Sequence, residues 1–215
     1  MKPDQIYFFG DSITLADNDS ARCGWPGRLC AGLEKEGTAL TAYNLGINGD
    51  TSRDIAARWQ AETAARRLRG NGMGTAAFVF AYGFNDACNP DGKGLQVALS
   101  EALKLSRTML GAASAIGPVL WIGPTPLDES INPFVGGSGI VWDIRNRDIG
   151  AYSRAYGELA GEIGLPYLDL FTPFSTSERY ARALAAYDGI HPADDGYAMI
   201  TEAVAAWQPW RDLIG

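Results

Sequence analysis

The sequence predicts a single three-layer α/β domain, in which a parallel β-sheet lies between two layers of helices. Five short apolar segments alternate with longer stretches of helical periodicity. Strands that alternate with helices run parallel and are joined by right-handed crossovers. The segments are apolar throughout, as expected for strands with both faces covered. No linker, internal repeat or low-complexity segment divides the chain, so residues 1–215 are expected to form one domain.

The predicted elements follow one another at regular intervals. The strands are predicted over residues 6–9, 40–45, 76–82, 119–122 and 167–170. The helices are predicted over residues 25–37, 51–69, 95–115, 143–164, 176–186 and 194–207. Thr51 and Asp54 resemble a capping box at the start of the second helix. This order of elements predicts a doubly wound, flavodoxin-like sheet.

Composition and charge argue against several classes of function. The formal net charge is -7, so the chain has no general attraction to nucleic-acid phosphates or to anionic membrane surfaces. No apolar run approaches the roughly 18 to 20 residues needed to cross a bilayer, and no signal-peptide pattern is present. We therefore expect a cytoplasmic protein with no nucleic-acid partner and no membrane partner.

The sequence carries no pattern for a bound metal or nucleotide. Cys23, Cys30 and Cys88 lack the spacing of a zinc site or of a disulfide framework. We expect all three to be small core residues, with a bridge between Cys23 and Cys30 left open. There is no G-x-G-x-x-G or P-loop pattern.

Residues that can supply a nucleophile, an amide donor or an acid–base pair follow four of the predicted strands. Ser12 follows the first, Gly49 the second and Asn85 the third, while Asp188 and His191 come after the fifth. In an open parallel sheet, ligands bind beyond the carboxyl ends of the strands. We therefore expect a nucleophile, amide donors and an acid–base pair to meet at one edge of the sheet.

Four blocks around these residues resemble the SGNH, or GDSL-type, hydrolase family. They are Phe9-Gly10-Asp11-Ser12-Ile13-Thr14, Asn48-Gly49-Asp50-Thr51-Ser52, Gly83-Phe84-Asn85-Asp86 and Asp188-Gly189-Ile190-His191-Pro192. Each block is a weak motif alone, but all four occur in the family's order and span nearly the whole chain. The resemblance implies a five-stranded sheet with strand order 2-1-3-4-5.

The resemblance also implies a serine esterase mechanism without a metal or organic cofactor. Ser12 is then the nucleophile, and His191, the only histidine, is its general base. Asp188 orients the imidazole. The backbone N–H groups of Ser12 and Gly49 and the side-chain amide of Asn85 form the oxyanion hole. The preferred substrate is a small soluble ester with a short acyl chain, or an acetylated sugar.

Other interpretations stay open at the level of sequence. A lysophospholipase or thioesterase of the same family would use the same residues. A non-catalytic module could hold a small ligand in the same pocket, and a flavodoxin-like flavin or nucleotide binder could share the fold. Asp11 is expected to bind turn amides rather than to join the catalytic group. The oligomeric state is not indicated.

Residues 124–142 form the longest segment without predicted secondary structure. A loop of this length inside a domain is often functional, and we hypothesise that it sets the acyl preference. Trp121, Phe134, Trp142 and Tyr187 are candidates to line an acyl pocket. Core packing is favoured for Trp121, which lies inside a predicted strand, whereas the two interpretations are balanced for Phe134 and Trp142.

Overall fold

Five parallel strands form the main sheet of the computed structural model, which describes residues 2–35, 40–67, 74–136 and 138–215. The described residues contain eight strands in all, numbered in chain order: β1 Gln5–Gly10, β2 Thr41–Gly46, β3 Ala76–Ala81, β4 Cys88–Pro90, β5 Val119–Ile122, β6 Phe134–Val135, β7 Val141–Ile144 and β8 Tyr167–Leu168. The main sheet has the order β2-β1-β3-β5-β8, and β4, β7 and β6 form a separate antiparallel sheet. Counting only the parallel strands, this order is the predicted 2-1-3-4-5.

Helices cover both faces of the main sheet. They are α1 Ser12–Leu15, α2 Gly24–Lys35, α3 Ser52–Arg66, α4 Leu99–Ser114, α5 Asn146–Ile163, α6 Phe171–Ser175, α7 Glu178–Ala185, α8 Asp194–Ala206 and α9 Gln208–Ile214. The predicted capping box is present at α3, since Thr51 and Asp54 each accept a hydrogen bond from the other's backbone N–H. Gly164, with φ of 70°, ends α5.

The two faces of the central strand β1 contribute to two separate cores. Tyr7 and Phe9 pack with side chains of α3, α4 and α5, whereas Ile6 and Phe8 pack with side chains of α2, α8 and α9. Every residue of β1 is buried, because a parallel strand with helices on both sides has no solvent face. Trp121 in β5 is fully buried, which confirms the core interpretation.

The carboxyl ends of the first three parallel strands lie level with one another. Gly10 at the end of β1 is paired in register with Gly46 of β2 and with Ala81 of β3. The segments that follow these strands therefore begin at the same edge of the sheet.

Several elements differ from the prediction. Residues 124–142 are not wholly irregular, because they contain β6 and the first part of β7, and β7 pairs with β4. As β7 continues to Ile144, α5 begins at Asn146 and not at residue 143. The helix predicted over 176–186 is preceded by α6, and a last helix, α9, follows the helix predicted to end at residue 207. The predicted helix ends at residues 37 and 69 lie outside the described residues.

The cysteines are unpaired. Cys88 is buried as expected, but Cys23 and Cys30 are only half-buried and form no bridge. Among the described residues, none of the helices combines the length and the apolar character needed to cross a bilayer.

Candidate active site

A single helical turn holds Ser12 at the carboxyl end of β1. Asp11 is the N-cap of α1, and its carboxylate accepts a hydrogen bond from the backbone N–H of Ile13 at 3.0 Å. A Cβ on Gly10 would lie 2.1 Å from Thr14 Oγ1, and one on Gly46 would lie 2.2 Å from the backbone nitrogen of Leu15. Only glycine at these two strand ends lets α1 approach so closely. The predicted local role of Asp11 agrees with this geometry.

Ser12, His191 and Asp188 form a continuous hydrogen-bonded line. Ser12 Oγ lies 2.8 Å from His191 Nε2, and Asp188 Oδ2 lies 2.7 Å from His191 Nδ1. Asp188 Oδ1 also accepts the backbone N–H groups of Ile190 at 2.9 Å and of His191 at 2.8 Å. With the Nδ1 proton directed at the carboxylate, Nε2 of the neutral ring is free to accept from the serine hydroxyl.

The surrounding charges move both pKa values of the histidine–aspartate pair. Burial alone would lower the pKa of His191, but the hydrogen bond to Asp188 and the charges of Asp188, Asp17 and Asp11 outweigh it and raise that pKa above its ordinary value. Burial acts to raise the pKa of Asp188, and the hydrogen bonds and charge of His191 bring it below its ordinary value. Asp188 therefore stays ionised near neutral pH, and the raised pKa of His191 suits an imidazole that exchanges a proton in this range.

Three amide groups are available for an oxyanion beside Ser12. No acceptor among the described residues takes the backbone N–H of Ser12 or of Gly49. Gly49 has φ of 82°, a conformation that favours glycine. Asn85 Nδ2 donates to the carbonyl of Asp50 at 3.0 Å, which orients the amide and leaves its second N–H free. Ser12, Gly49 and Asn85 line the same cavity.

Two further side chains, not singled out from the sequence, hold the loops that carry these donors. Arg58 of α3 donates to Asp50 Oδ2 at 2.7 Å and to the carbonyl of Leu45 at 2.7 Å. Asp86 accepts from the backbone N–H of Ser52 at 3.0 Å, and burial raises the pKa of this carboxyl to about 6. Asp86 belongs to the third motif block, so its position was a signal, whereas nothing distinguished Arg58 from a surface arginine.

The cavity that contains these groups has a volume of about 180 Å³. One side is apolar, and Phe134, Trp142, Ile144 and Cys88 line it. The antiparallel sheet therefore forms part of the wall, and the pocket interpretation holds for Phe134 and Trp142. Tyr187 does not belong to the lining and is 58% exposed, so the expectation for this residue is wrong.

A second carboxylate lies near the imidazole of His191, and no pattern in the sequence predicted it. Asp17 Oδ2 lies 3.7 Å from His191 Nε2. Asp17 follows α1 and belongs to no motif block, so no sequence signal marked it. Asp194 also lies near His191 in sequence, but its carboxylate accepts from the backbone N–H of Ser20 at 2.8 Å and from the hydroxyl of the same serine.

Comparison with known proteins agrees with the predicted fold and family. The chain belongs to the GDSL-like lipase/acylhydrolase family, whose profile matches residues 8–199. A search of curated proteins found no match for the chain. Family membership supports hydrolysis of carboxylic esters.

Solved structures of similar shape cover almost the whole chain. A lipase/acylhydrolase from Enterococcus faecalis has a TM-score of 0.74 and 20% identity, with 98% of this chain and 97% of that chain covered. An acetylxylan esterase from Geobacillus stearothermophilus has a TM-score of 0.69 and 18% identity, with 97% and 96% covered. An alpha/beta hydrolase from the metagenome of Lake Arreo, Spain, has a TM-score of 0.72 and 20% identity, with 100% and 98% covered. At these identities the similarity establishes the fold.

Proposed function

We propose that this protein hydrolyses small carboxylic esters with short acyl groups through an acyl-enzyme on Ser12. The observation that carries the proposal is the hydrogen-bonded line from Ser12 Oγ through His191 to Asp188, with distances of 2.8 Å and 2.7 Å. A serine hydroxyl is a weak nucleophile, and it needs an adjacent base that a third group holds in the correct tautomer.

Each proposed step uses a group of this chain. Ser12 Oγ attacks the ester carbonyl while His191 Nε2 takes the hydroxyl proton, and the carbonyl oxygen becomes an oxyanion. The N–H groups of Ser12 and Gly49 and the amide of Asn85 stabilise that oxyanion. When the tetrahedral intermediate collapses, His191 delivers the proton to the leaving alcohol. Water then attacks the acyl-enzyme while His191 takes one of its protons, and His191 returns that proton to Ser12 Oγ as the carboxylic acid leaves.

The size of the cavity supports a short acyl group. Its volume of about 180 Å³ is smaller than the roughly 300 to 1,000 Å³ of sites for drug-sized ligands. Phe134 and Trp142 limit it on the apolar side. One structural neighbour is named an acetylxylan esterase, and its serine-to-alanine and histidine-to-alanine variants are both described as catalytic mutants. An acetylated carbohydrate is therefore the first natural substrate to test.

The test is hydrolysis of p-nitrophenyl acetate together with labelling by a fluorophosphonate probe. Ser12→Ala should abolish labelling and lower kcat/KM at least about a thousandfold, because it removes the nucleophile. Ser175→Ala, which alters an exposed serine of α6, is the matched control and should behave as the wild type. Intact mass shows whether a single phosphonate adduct forms, and its absence in Ser12→Ala assigns the adduct to Ser12.

The pH profile of the same assay gives an independent check. His191 acts only as the neutral base, and its pKa is raised above the ordinary 6.5. The acidic limb of the kcat/KM profile should therefore have its midpoint above pH 6.5. A folded wild type that neither turns over esters nor takes the label would overturn the proposal, and the same pocket would then be assigned to ligand binding.

A further inference from the structure

Asp17 lies beside the imidazole that protonates the leaving alcohol in the proposed mechanism. We propose that Asp17 is a specificity-determining residue that makes the enzyme discriminate against esters with a negatively charged alcohol and favour alcohols that carry hydrogen-bond donors or a positive charge. The inference rests on the proposed ester hydrolysis. The proposed preference disfavours coenzyme A thioesters and phospholipids, because their leaving groups carry phosphate. Simple polyol esters have no such charge and are favoured.

The backbone of Asp17 is held firmly beside the nucleophile. Its N–H donates to the carbonyl of Ser12 at 3.0 Å, and its own carbonyl accepts from the hydroxyl of the buried Tyr197. The preceding residue, Ala16, ends α1 in the left-handed conformation with φ of 84° and turns the chain back over the site. The position of Asp17 is therefore set by the same turn that positions Ser12.

The carboxylate of Asp17 is oriented toward the reacting groups and stays open to solvent. Asn48 Nδ2 donates to Oδ2 at 3.2 Å, and the same oxygen lies 3.7 Å from His191 Nε2. The side chain is 36% exposed, and no Lys or Arg among the described residues pairs with it. Its charge is thus neutralised by no cation of the described chain other than protonated His191.

The chemistry of proton delivery places the alcohol next to this carboxylate. His191 Nε2 must hydrogen-bond to the leaving oxygen, at about 3 Å, in order to protonate it. Asp17 Oδ2 lies 3.7 Å from the same nitrogen, so it faces the first atoms of the alcohol. The acyl group has its own apolar wall on the side of Trp142 and Phe134.

Among the described residues, the cavity beside Asp17 offers no cationic side chain to an anionic alcohol. None of its described lining residues is Lys or Arg, and the chain as a whole carries a net charge of -7. A hydroxyl or ammonium group of the alcohol can donate to Asp17, whereas a sulfonate or phosphate there meets an unneutralised carboxylate. For a partly solvated pair of charges, we expect a preference of roughly three- to tenfold from this one residue.

The experiment compares three acetate esters that differ mainly in the charge of the phenol. They are m-(trimethylammonio)phenyl acetate, its neutral isostere m-tert-butylphenyl acetate and m-sulfonatophenyl acetate. After division by the rate at which hydroxide hydrolyses each ester, which corrects for the acidity of the phenol, the wild type should prefer the cationic ester to the neutral one and disfavour the anionic one. Asp17→Asn, which keeps an acceptor for Asn48, should reduce both preferences by roughly three- to tenfold. Glu158→Gln removes an exposed charge of α5 that does not line the cavity, and it should leave both preferences unchanged.

The comparison separates the direct effect of Asp17 on the alcohol from its effect on the protonation of His191. Any change in the protonation of His191 alters the rates on all three esters equally and cancels in their ratios. Unchanged ratios in an active Asp17→Asn enzyme would overturn the proposal.

Calorimetry separates this proposal from the proposed activity. The ligands are m-(trimethylammonio)phenol and m-tert-butylphenol, bound to Ser12→Ala with and without Asp17→Asn. Absence of turnover by the wild type would count against the proposed ester hydrolysis and not against the role of Asp17. A preference for the cationic phenol that disappears with Asp17→Asn supports the role of Asp17, and equal binding in both proteins contradicts it.

Discussion

His191 lies among three carboxylates that act on it from different directions. Asp188 binds Nδ1 at 2.7 Å, Asp17 lies 3.7 Å from Nε2, and the buried Asp11 adds a longer-range charge. A buried imidazole without such neighbours would hold its proton less strongly. These carboxylates therefore favour the protonated form of His191, which is the form that the proposed mechanism produces when Ser12 gives up its proton.

The buried Asp11 lowers the free energy of unfolding by an amount that depends on pH. Burial raises the pKa of this carboxyl to about 7, against an ordinary value of 3.8. The folded state therefore binds more protons than the unfolded state between about pH 4 and pH 7, and stability falls as the pH rises through this window. Near pH 8 the full cost is present, and it amounts to a few kcal/mol at most.

Asp11→Asn should remove this dependence, because an amide keeps an acceptor for the N–H of Ile13 but does not ionise. The stability of the variant relative to the wild type should increase from pH 4 to pH 8, as measured by urea unfolding at both values. Glu34→Gln, at an exposed carboxylate of α2, controls for a general loss of charge. Equal changes with pH in the wild type and Asp11→Asn would contradict the prediction.

At the scale of elements, the antiparallel sheet of β4, β7 and β6 forms a wall of the active site. Trp142 of β7 is paired with Phe134 of β6 on one side and with Pro90 of β4 on the other. Because β4 follows the third motif block directly, the sheet connects the loop that carries Asn85 to the segment of residues 124–142. The hypothesis that this segment sets acyl preference thus becomes a specific statement about Trp142.

Trp142→Ala should shift the preference toward longer acyl groups, because it removes the largest side chain of the apolar wall. Each further buried methylene contributes about 0.8 kcal/mol, so kcat/KM for butyrate relative to acetate should rise roughly tenfold. The measurement is a series of p-nitrophenyl esters of increasing acyl length. The adjacent and exposed Val141→Ala is the control, and it should leave the ratio unchanged. An unchanged ratio in Trp142→Ala would exclude the segment as the determinant.

At the scale of the whole molecule, the last helix completes one of the two cores. Trp210 of α9 is 1% exposed, and its ring centroid lies 6.2 Å from that of Phe8 in the central strand. Phe8 also contacts Trp25 of α2 at 5.3 Å, in an edge-to-face arrangement. The end of the chain is therefore packed against the strand that leads to Ser12.

Trp210→Ala should destabilise the domain by about 3 to 5 kcal/mol, as is usual when a buried aromatic is removed. For a chain of this length the corresponding fall in Tm is about 10 °C. Thermal and urea unfolding measure it, and the half-buried Trp207→Ala provides the comparison with a smaller expected loss. A loss below about 1 kcal/mol for Trp210→Ala would show that α9 is not part of the cooperative core.

Local signals in the sequence determined the main sheet and the residues that converge on it. Apolar runs predicted the five parallel strands, and the first three motif blocks follow strands whose carboxyl ends are level in the structure. Ser12, His191 and Asp188 could be grouped from the sequence because each belongs to a short motif block, although α6 and α7 separate the block of Asp188 and His191 from β8. Roles inferred in this way stay predictions until the Ser12 experiments are done.

The tertiary structure alone decided the features that depend on contacts between distant residues. The strands β4 and β7 are too short to be recognised by periodicity, and they form because they pair with each other. Asp17 belongs to no motif, and only the turn after α1 brings it to His191. The raised pKa of Asp11 follows from burial, which the identity of a residue does not reveal. The sequence therefore determined the scaffold and the predicted catalytic group, whereas folding decided the wall of the pocket and the charges around the base.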